Sequence, residues 1–584
     1  MPLPNKIMYK RKSKNLPGFL LKTILFNLTF IFISSFAFAA PPTGQSVGAE
    51  AERFKAQAER QKTQLQQKAK TPVIEVPTRP GITALPSVPF FLKKIVITGS
   101  TIFKPEEFSS IYQPYLNKEI TFQDLETVMK AMESVYAKKG YLTTSAYIPP
   151  QDIKDGQVEI RVAEGKMGNL KIEGNKWFSS DLIERFFHSK KNQILNINEL
   201  QRDVLRLNQS SDLEVKTVIS AGQDPQSSDI VLQVKDKLPW HIGIGEDNQG
   251  TRLTGQYRTS FTLRTSNLTG NADSLFSVSL LSRDTFGQSI SYGLPIGTNG
   301  TKFYFDTTYF KMRLGKEYGP QDITGQTQIY TPRLSWELAL REDYQADFNL
   351  GIDIKSIVQK TAGEKTSDDQ LRLPWFGFDF TKQDTTGQTS FSPKFSFSSS
   401  GFLGSSSRGN SLASRTGSGG SFFKYDQTLN RTQRMPFGSY LSMRSQFQAA
   451  SCTLPASEQI QIGGAYSVRG YPEGDYLADI GGYLATEWIF PMYLIPKDWK
   501  LNNQKVPLRY QIQPLIFVDC GGGKLRKVIP GEMPDQFLAG VGGGVQLNFT
   551  GCSVKAQWAK AIGGDQPVSG SGPSTFYLTF QAEI

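Results

Sequence analysis

The chain has 584 residues, with 65 Lys and Arg against 53 Asp and Glu, a formal charge of +12, and only two histidines and three cysteines. So few histidines and cysteines rule out a His/Cys metal cluster within the chain. An apolar share of 38% excludes a bundle of membrane helices, while 53 glycines and 12% aromatics suit a Gly-rich β protein.

The first forty residues read as a secretory signal. Lys6, Lys10, Arg11, Lys12, Lys14 and Lys22 precede a short apolar run from Ile24 to Ile33, and Ala37-Phe38-Ala39 offers the small residues a signal peptidase needs. The run is shorter than the ~20 residues of a spanning helix, so we expect cleavage near Ala39 or Ala40. Removing residues 1–40 leaves a net charge of only +6, which gives no case for a nucleic-acid partner. No later segment is apolar enough to cross a membrane as a helix.

Residues 41–70 form the next unit, with a helix expected from Ser46 to about Lys70 in an Ala-, Gln-, Glu- and Lys-rich stretch. Phe54 and Leu65 stand apart, so the helix reads as polar on every side and suited to solvent or a wet channel. A linker follows over 71–89, held extended by Pro72, Pro77, Pro80, Pro86 and Pro89.

Two related units come next, over 90–165 and 166–237. Ile95-Val-Ile97-Thr-Gly99 with Ile102-Phe103 recurs 75 residues on as Leu170-Lys-Ile172-Glu-Gly174 with Trp177-Phe178. In the first unit Thr121 and Asp124 start a helix that ends before Gly140, with Leu125, Val128, Met129, Met132, Val135 and Tyr136 on one face. Leu195, Ile197, Leu200, Val204 and Leu207 support its counterpart in the second. Each unit closes on alternating strands, Val158–Val162 and Ile230–Val234, so the pair reads as a tandem α+β module.

From 238 to 584 the pattern becomes long alternating strands separated by Gly, Ser, Asp and Asn. Tyr344–Lys355 and Arg509–Cys520 are the clearest, and Ser574–Ile584 is the last. Strands of a soluble sandwich average ~5–6 residues, whereas long strands with a polar inner face mark a transmembrane barrel. We count about sixteen, which must close because lipid cannot satisfy a free strand edge. The stretch 398–420 reads as strand ends and a flexible loop, and 453–480 as an excursion long enough to fold back into the pore.

The whole of this organisation resembles the two-partner secretion transporters, the haemolysin secretion/activation and filamentous-haemagglutinin exporters of the outer membrane. The α+β units resemble polypeptide-transport-associated (POTRA) domains, and Pro149-Pro-Gln151-Asp-Ile153-Lys-Asp155-Gly156 resembles a stretch of the family's first such domain. Gly463-Gly464-x-x-Ser467-Val468-Arg469-Gly470-Tyr471 resembles the signature of the in-folded loop, and Phe517-Val518-Asp519-Cys520-Gly521 the strand motif that the loop's arginine engages. Asp519 falls on the polar face of its strand, and Gly470 permits a tight turn that presents Arg469. An Arg469–Asp519 fork would hold the loop in place, for about 0–1 kcal/mol if solvated. Glu487 and Arg444, on polar faces of neighbouring strands, are weaker candidates for the same network. Two features depart from the pattern: the chain ends in Ile584 where barrel proteins commonly have Phe, and Cys520 faces lipid by parity and is given no role.

The resemblance implies a barrel preceded by two periplasmic POTRA domains and a plug helix, inserted by the barrel-assembly machinery in outer-membrane lipid. It implies export of a large partner exoprotein, a haemolysin or adhesin, docked through its N-terminal secretion domain, without ATP. Gly521-Gly-Gly-Lys524 lacks the Ser/Thr and glycine spacing of a phosphate loop, and Gly243-Ile-Gly245 lacks the third glycine of a dinucleotide fingerprint. His188 reads as an exposed helix-end residue and His241 as an interfacial residue at the start of the barrel. We expect no enzyme, cofactor or metal. The alternatives are a barrel-assembly insertase and, further off, a passive porin.

Overall fold

The computed structural model describes residues 46–66, 74–75, 88–153, 155–224, 226–501, 504–563, 572 and 574–584. The segment read as a signal and most of the linker lie outside the described residues. Among the described helices none is long and apolar enough to cross a membrane.

The first α+β unit packs helix Phe122–Lys138 on a three-stranded sheet of Lys94–Thr98, Gln157–Ala163 and Ser145–Tyr147. Thr121 and Asp124 form the expected reciprocal cap, Asp124 Oδ2 accepting from Thr121 N at 2.8 Å. Leu125, Val128, Met132 and Tyr136 are buried against Ile95, Val158 and Ile160. In the second unit helix Ile197–Asn208 lies over the strands Lys166–Glu173, Leu213–Ala221 and Ser227–Asp236. Ile74–Glu75 adds to that sheet in parallel with Thr217–Val218, so this part of the linker is a strand.

The repeat extends to how each unit holds its first turn. Gly99 (φ +80°) and Gly174 (φ +91°) each close a strand, and a Cβ on either would meet a carbonyl oxygen, of Val162 at 2.3 Å or of Val234 at 2.5 Å. A carboxylate just past each of those carbonyls then takes up the orphan amides of the turn. Glu164 Oε1 accepts from Thr101 N and Ile102 N at 2.8 and 2.9 Å, and Asp236 Oδ2 from Lys176 N and Phe178 N at 2.8 and 3.0 Å. Burial pushes both carboxyls up, but these hydrogen bonds outweigh it and hold both below the usual range.

Sixteen antiparallel strands follow in sequence order and close into a barrel, the first (Trp240–Asp247) pairing with the last (Ser574–Glu583). They range from 8 residues at Trp240–Asp247 to 21 at Glu364–Asp384. Outward-facing rings form a band across neighbouring strands, from Trp336 to Phe348 (5.7 Å), Phe376 (6.5 Å) and Phe395 (4.9 Å). Such aromatic belts mark a membrane-facing wall. Two of the clearest strands differ from their expected bounds: the one read as Tyr344–Lys355 runs on to Thr361, and Leu508–Gln511 is a helical turn, so that the strand read as Arg509–Cys520 runs Ile512–Lys524. The three cysteines are free.

Both histidines meet carboxylates at the joint between the second unit and the barrel. His188 Nδ1 lies 2.7 Å from Asp203 Oδ1, and its Nε2 is 2.8 Å from Asn299 Oδ1 in a barrel turn. His241 Nε2 lies 2.8 Å from Asp212 Oδ1. Arg206 adds a fork to Glu337 of the barrel at 2.7 and 3.1 Å. The reading of His188 as a mere exposed helix end is therefore corrected: its partners come from elements distant in sequence.

Candidate functional site: a loop and a helix inside the barrel

The eleventh strand ends at Ala450 and the twelfth begins at Ile480. Between them the chain turns into the lumen, with Ile460–Ile462 and Tyr476–Ala478 paired as a short hairpin. Its tip carries Val468–Tyr471 to the wall formed by strands thirteen to sixteen. Val468 and Tyr471 are buried with Ile460, Ile462, Tyr476 and Leu538.

Arg469 and Asp519 are both 0% exposed. Nε and Nη2 of Arg469 donate to Asp519 Oδ2 and Oδ1 at 2.6 and 2.7 Å, a bidentate fork, and Arg469 N donates to Oδ2 at 3.1 Å. Nη1 donates to Glu487 Oε1, and the guanidinium lies 3.5 Å from the ring centroid of Phe517. Lys555 Nζ reaches Glu487 Oε2 at 3.0 Å, while Arg444 Nη2 stands at 3.5 Å from Oε1, the edge of a hydrogen bond. The pair is buried and not solvated, which changes its energetics. Removing one partner of a buried pair leaves an uncompensated charge and costs about 3–5 kcal/mol.

Glycines make this approach possible. Gly470 has φ +98°, and a Cβ there would lie 2.6 Å from Ala561 N. Across the wall, a Cβ on Gly540 would lie 1.9 Å from Arg469 O. Gly521 is tight for a different reason, a Cβ falling 2.7 Å from that of Tyr483. Tyr577 completes the tip: its hydroxyl accepts from Gly470 N at 3.3 Å and donates to Tyr471 O at 3.1 Å. Gly540, Lys555 and Tyr577 were not singled out from the sequence. A lone glycine on a strand signals close backbone approach, but Gly540 sits among four other glycines or small residues and gave no contrast.

A test follows from Gly540. Gly540→Ala is expected to displace residues 468–471 and to free the loop tip as far as loss of the ion pair does, because its obstacle is backbone and cannot yield. Gly409→Ala, where a Cβ meets nothing within 4 Å, serves as the control. Limited proteolysis of the two folded variants compares how far the loop is released.

The base of the loop is held by a second buried arginine. Arg415 forks to Glu532 at 2.7 and 2.9 Å and donates to Asp479 Oδ1 at 3.1 Å and Leu454 O at 2.8 Å. The Gly/Ser stretch around it thus ties three loops together and is more than a connection.

The remaining lumen is filled by helix α1 (Val47–Gln66). It differs from the uniformly polar helix expected. Val47, Ala51, Phe54 and Ala58, with Leu65, form a stripe at helical spacing packed on Phe276, Val278, Phe310 and Ile357 of the wall. The alanines read as helix formers rather than as core, which hid the stripe. Its polar side reaches the wall through Lys62 Nζ to Ser291 Oγ (2.7 Å) and Gln61 Nε2 to Thr262 Oγ1 (3.1 Å).

Helix and loop touch directly. Arg53 Nε donates to Gln461 Oε1 at 2.9 Å, and Gln461 Nε2 donates to Ala49 O at 2.7 Å. Lys355, on the seventh strand, joins Glu52 of the helix (2.7 Å) to Glu458 of the loop (2.5 Å). The two inserts thus lie side by side within the barrel and share their charges.

Comparison with known proteins agrees with this arrangement. Residues 226–547 match the family model of haemolysin secretion/activation proteins ShlB/FhaC/HecB, and 90–165 match the ShlB-type POTRA domain. The heme/hemopexin transporter protein HuxB of Haemophilus influenzae is 24% identical over 501 residues, 81% of this chain and 83% of its own. The outer membrane transporter CdiB of Escherichia coli is 22% identical over 473 residues, 80% of this chain and 79% of its own. The solved structure of CdiB from Escherichia coli shares the fold, with a TM-score of 0.73 at 20% identity over 94% of this chain and all of that one.

Proposed function

The chain belongs to the ShlB/FhaC/HecB family of haemolysin secretion/activation proteins, and we propose that its barrel is the resting, closed state of an exporter opened by its own cargo. It is an outer-membrane transporter of two-partner secretion, with POTRA domains on the periplasmic side and a secreted protein as substrate. The relatives are named for heme/hemopexin transport, for haemolysin transport and as CdiB transporters. A large exoprotein of the haemolysin or adhesin type fits this chain in the same way. Its N-terminal secretion domain docks on the two α+β units, which span 90–165 and 166–237, by adding a strand to a sheet edge.

The observation that carries the reading is the doubly filled lumen, with Arg469 buried on Asp519 and Glu487 behind an inserted helix. In this account Val468–Tyr471 and Asp519, with Gly521 beside the loop hairpin, fix the loop, and α1 is the plug that leaves. Release of α1 exposes Val47 and Phe54, at about 1.5–3 kcal/mol for each side chain, so cargo must supply the compensating contacts. Folding of the cargo outside then gives direction without ATP. Gly521–Lys524, the nearest approach to a phosphate loop, is built into a barrel strand paired on both sides.

Deleting 90–165 is expected to abolish binding of the purified secretion domain while the barrel still inserts. Pull-down with the detergent-solubilised variant checks this; undiminished binding would remove the first unit from recognition.

A further inference from the structure

Six of the seven connections at the periplasmic end of the barrel are short: 266–273, 296–301, 341–343, 385–386, 435–439 and 550–551. Residues 490–511, between strands twelve and thirteen, are the exception. Adjacent antiparallel strands need only a few residues to join, so this length serves something else.

The segment's described residues, 490–501 and 504–511, are folded against the barrel rim. Met492 N donates to Arg509 O at 2.9 Å and Leu508 N to Trp499 O at 2.8 Å, while Tyr493 Oη donates to Phe437 O in the neighbouring turn at 3.1 Å. Yet what it presents outward is apolar. Leu494 is 93% exposed, Phe437 89% and Trp499 56%, and among the described large apolar side chains only the terminal Ile584 exceeds the first two. Phe437 is held at φ +61°, a left-handed conformation costly for a bulky residue. The fold therefore spends strain to keep a phenyl ring pointing away from the protein.

Three exposed lysines, Lys497, Lys500 and Lys505, accompany these side chains, and Asp498 is the one acid in the sequence from 490 to 511. The apolar surface continues upward into the membrane-facing wall, through Tyr510 and Trp488 to Ile516 and Val518. The second α+β unit joins the barrel elsewhere, at Asn299, Glu337 and Ser266, so the patch is not its seat. Aromatic and aliphatic side chains ringed by lysines, continuous with a lipid-facing wall, suit an interface of acyl chains and phosphates.

We propose that residues 490–501 and 504–511, with the turn 435–439, form a foot seated in the phospholipid leaflet that faces the periplasm, with Phe437, Leu494 and Trp499 below the phosphates and Lys497, Lys500 and Lys505 at them. The foot fixes the depth of the barrel on the side away from the joint with the second unit. This rests on the barrel spanning a bilayer and is independent of what it exports.

The test uses the full chain with Cys452→Ser, Cys520→Ser and Cys552→Ser and a polarity-sensitive dye on Leu494→Cys, in vesicles of phosphatidylethanolamine and phosphatidylglycerol. Trp499→Cys is labelled in parallel, and heat-dependent gel migration selects folded barrels. The expected result is blue-shifted emission, quenched by lipid carrying a nitroxide near the headgroup and insensitive to iodide. Adding Lys497→Gln, Lys500→Gln and Lys505→Gln should at least halve the nitroxide quenching. Emission quenched by iodide, or shielded from iodide without nitroxide quenching, would overturn the proposal, the second because protein and not lipid then covers the site. Nitroxide quenching unchanged by loss of the lysines would overturn their role at the phosphates.

Discussion

Arg469→Ala is expected to abolish export while leaving the barrel in the outer membrane. The substitution strands Asp519 and leaves Glu487 to Lys555 and Arg444 alone, in a site where Arg469 supplied four hydrogen bonds, although the backbone amide among them would remain. A buried charge without its partner costs about 3–5 kcal/mol, more than enough to release a loop tip. The barrel has little stake in that pair, since its sixteen strands close through their own ladders. Lysine should not restore function, because a single ammonium cannot reproduce the fork on Asp519 while also reaching Glu487. The readouts are heat-dependent migration of the barrel in outer-membrane fractions and the cargo in the medium. Normal export from Arg469→Ala would sink the account of the loop.

Deleting residues 46–66 is expected to raise conductance severalfold in planar bilayers. A helix with its side chains is about 10–12 Å across, and unplugged sixteen-strand barrels hold a water-filled channel. With α1 gone the loop alone stands in the lumen, and the wall residues Lys355, Asp353 and Ser291 exchange their helix partners Glu52, Lys55 and Lys62 for water. Conductance equal to that of the intact chain would mean that the helix does not reside in the pore. Substituting Phe54 and Val47 together by Ser should give an intermediate effect, since the ion pairs on the other face of α1 remain.

Much of the architecture was legible because period and punctuation speak directly in barrels and in repeats. The dyad alternation gave sixteen strands, and its parity placed Asp519 inward, where the structure has it. Gly99 and Gly174 marked the duplicated units, although their reason, a carbonyl that leaves no room for Cβ, needed coordinates. The α1 stripe was missed because alanine is both a helix former and a core residue, and only the packing surface decides between them. Arg415 and Lys555 lay beyond sequence reasoning for another cause. Their partners, Glu532 and Asp479 or Glu487, are distant along the chain, and a charge in a Gly/Ser loop or on a strand's polar face has no local mark of burial. The histidines make the same point, each finding a carboxylate only through tertiary structure.

A dedicated exporter and a barrel insertase are separated by quantitative mass spectrometry of medium, cell surface and outer membrane from a deletion strain and its parent. A dedicated exporter gives loss of one or two large proteins from medium or surface, with other barrel proteins unchanged and the loss restored by the intact gene. A general fall in outer-membrane barrel proteins would contradict it and assign the chain to barrel assembly instead.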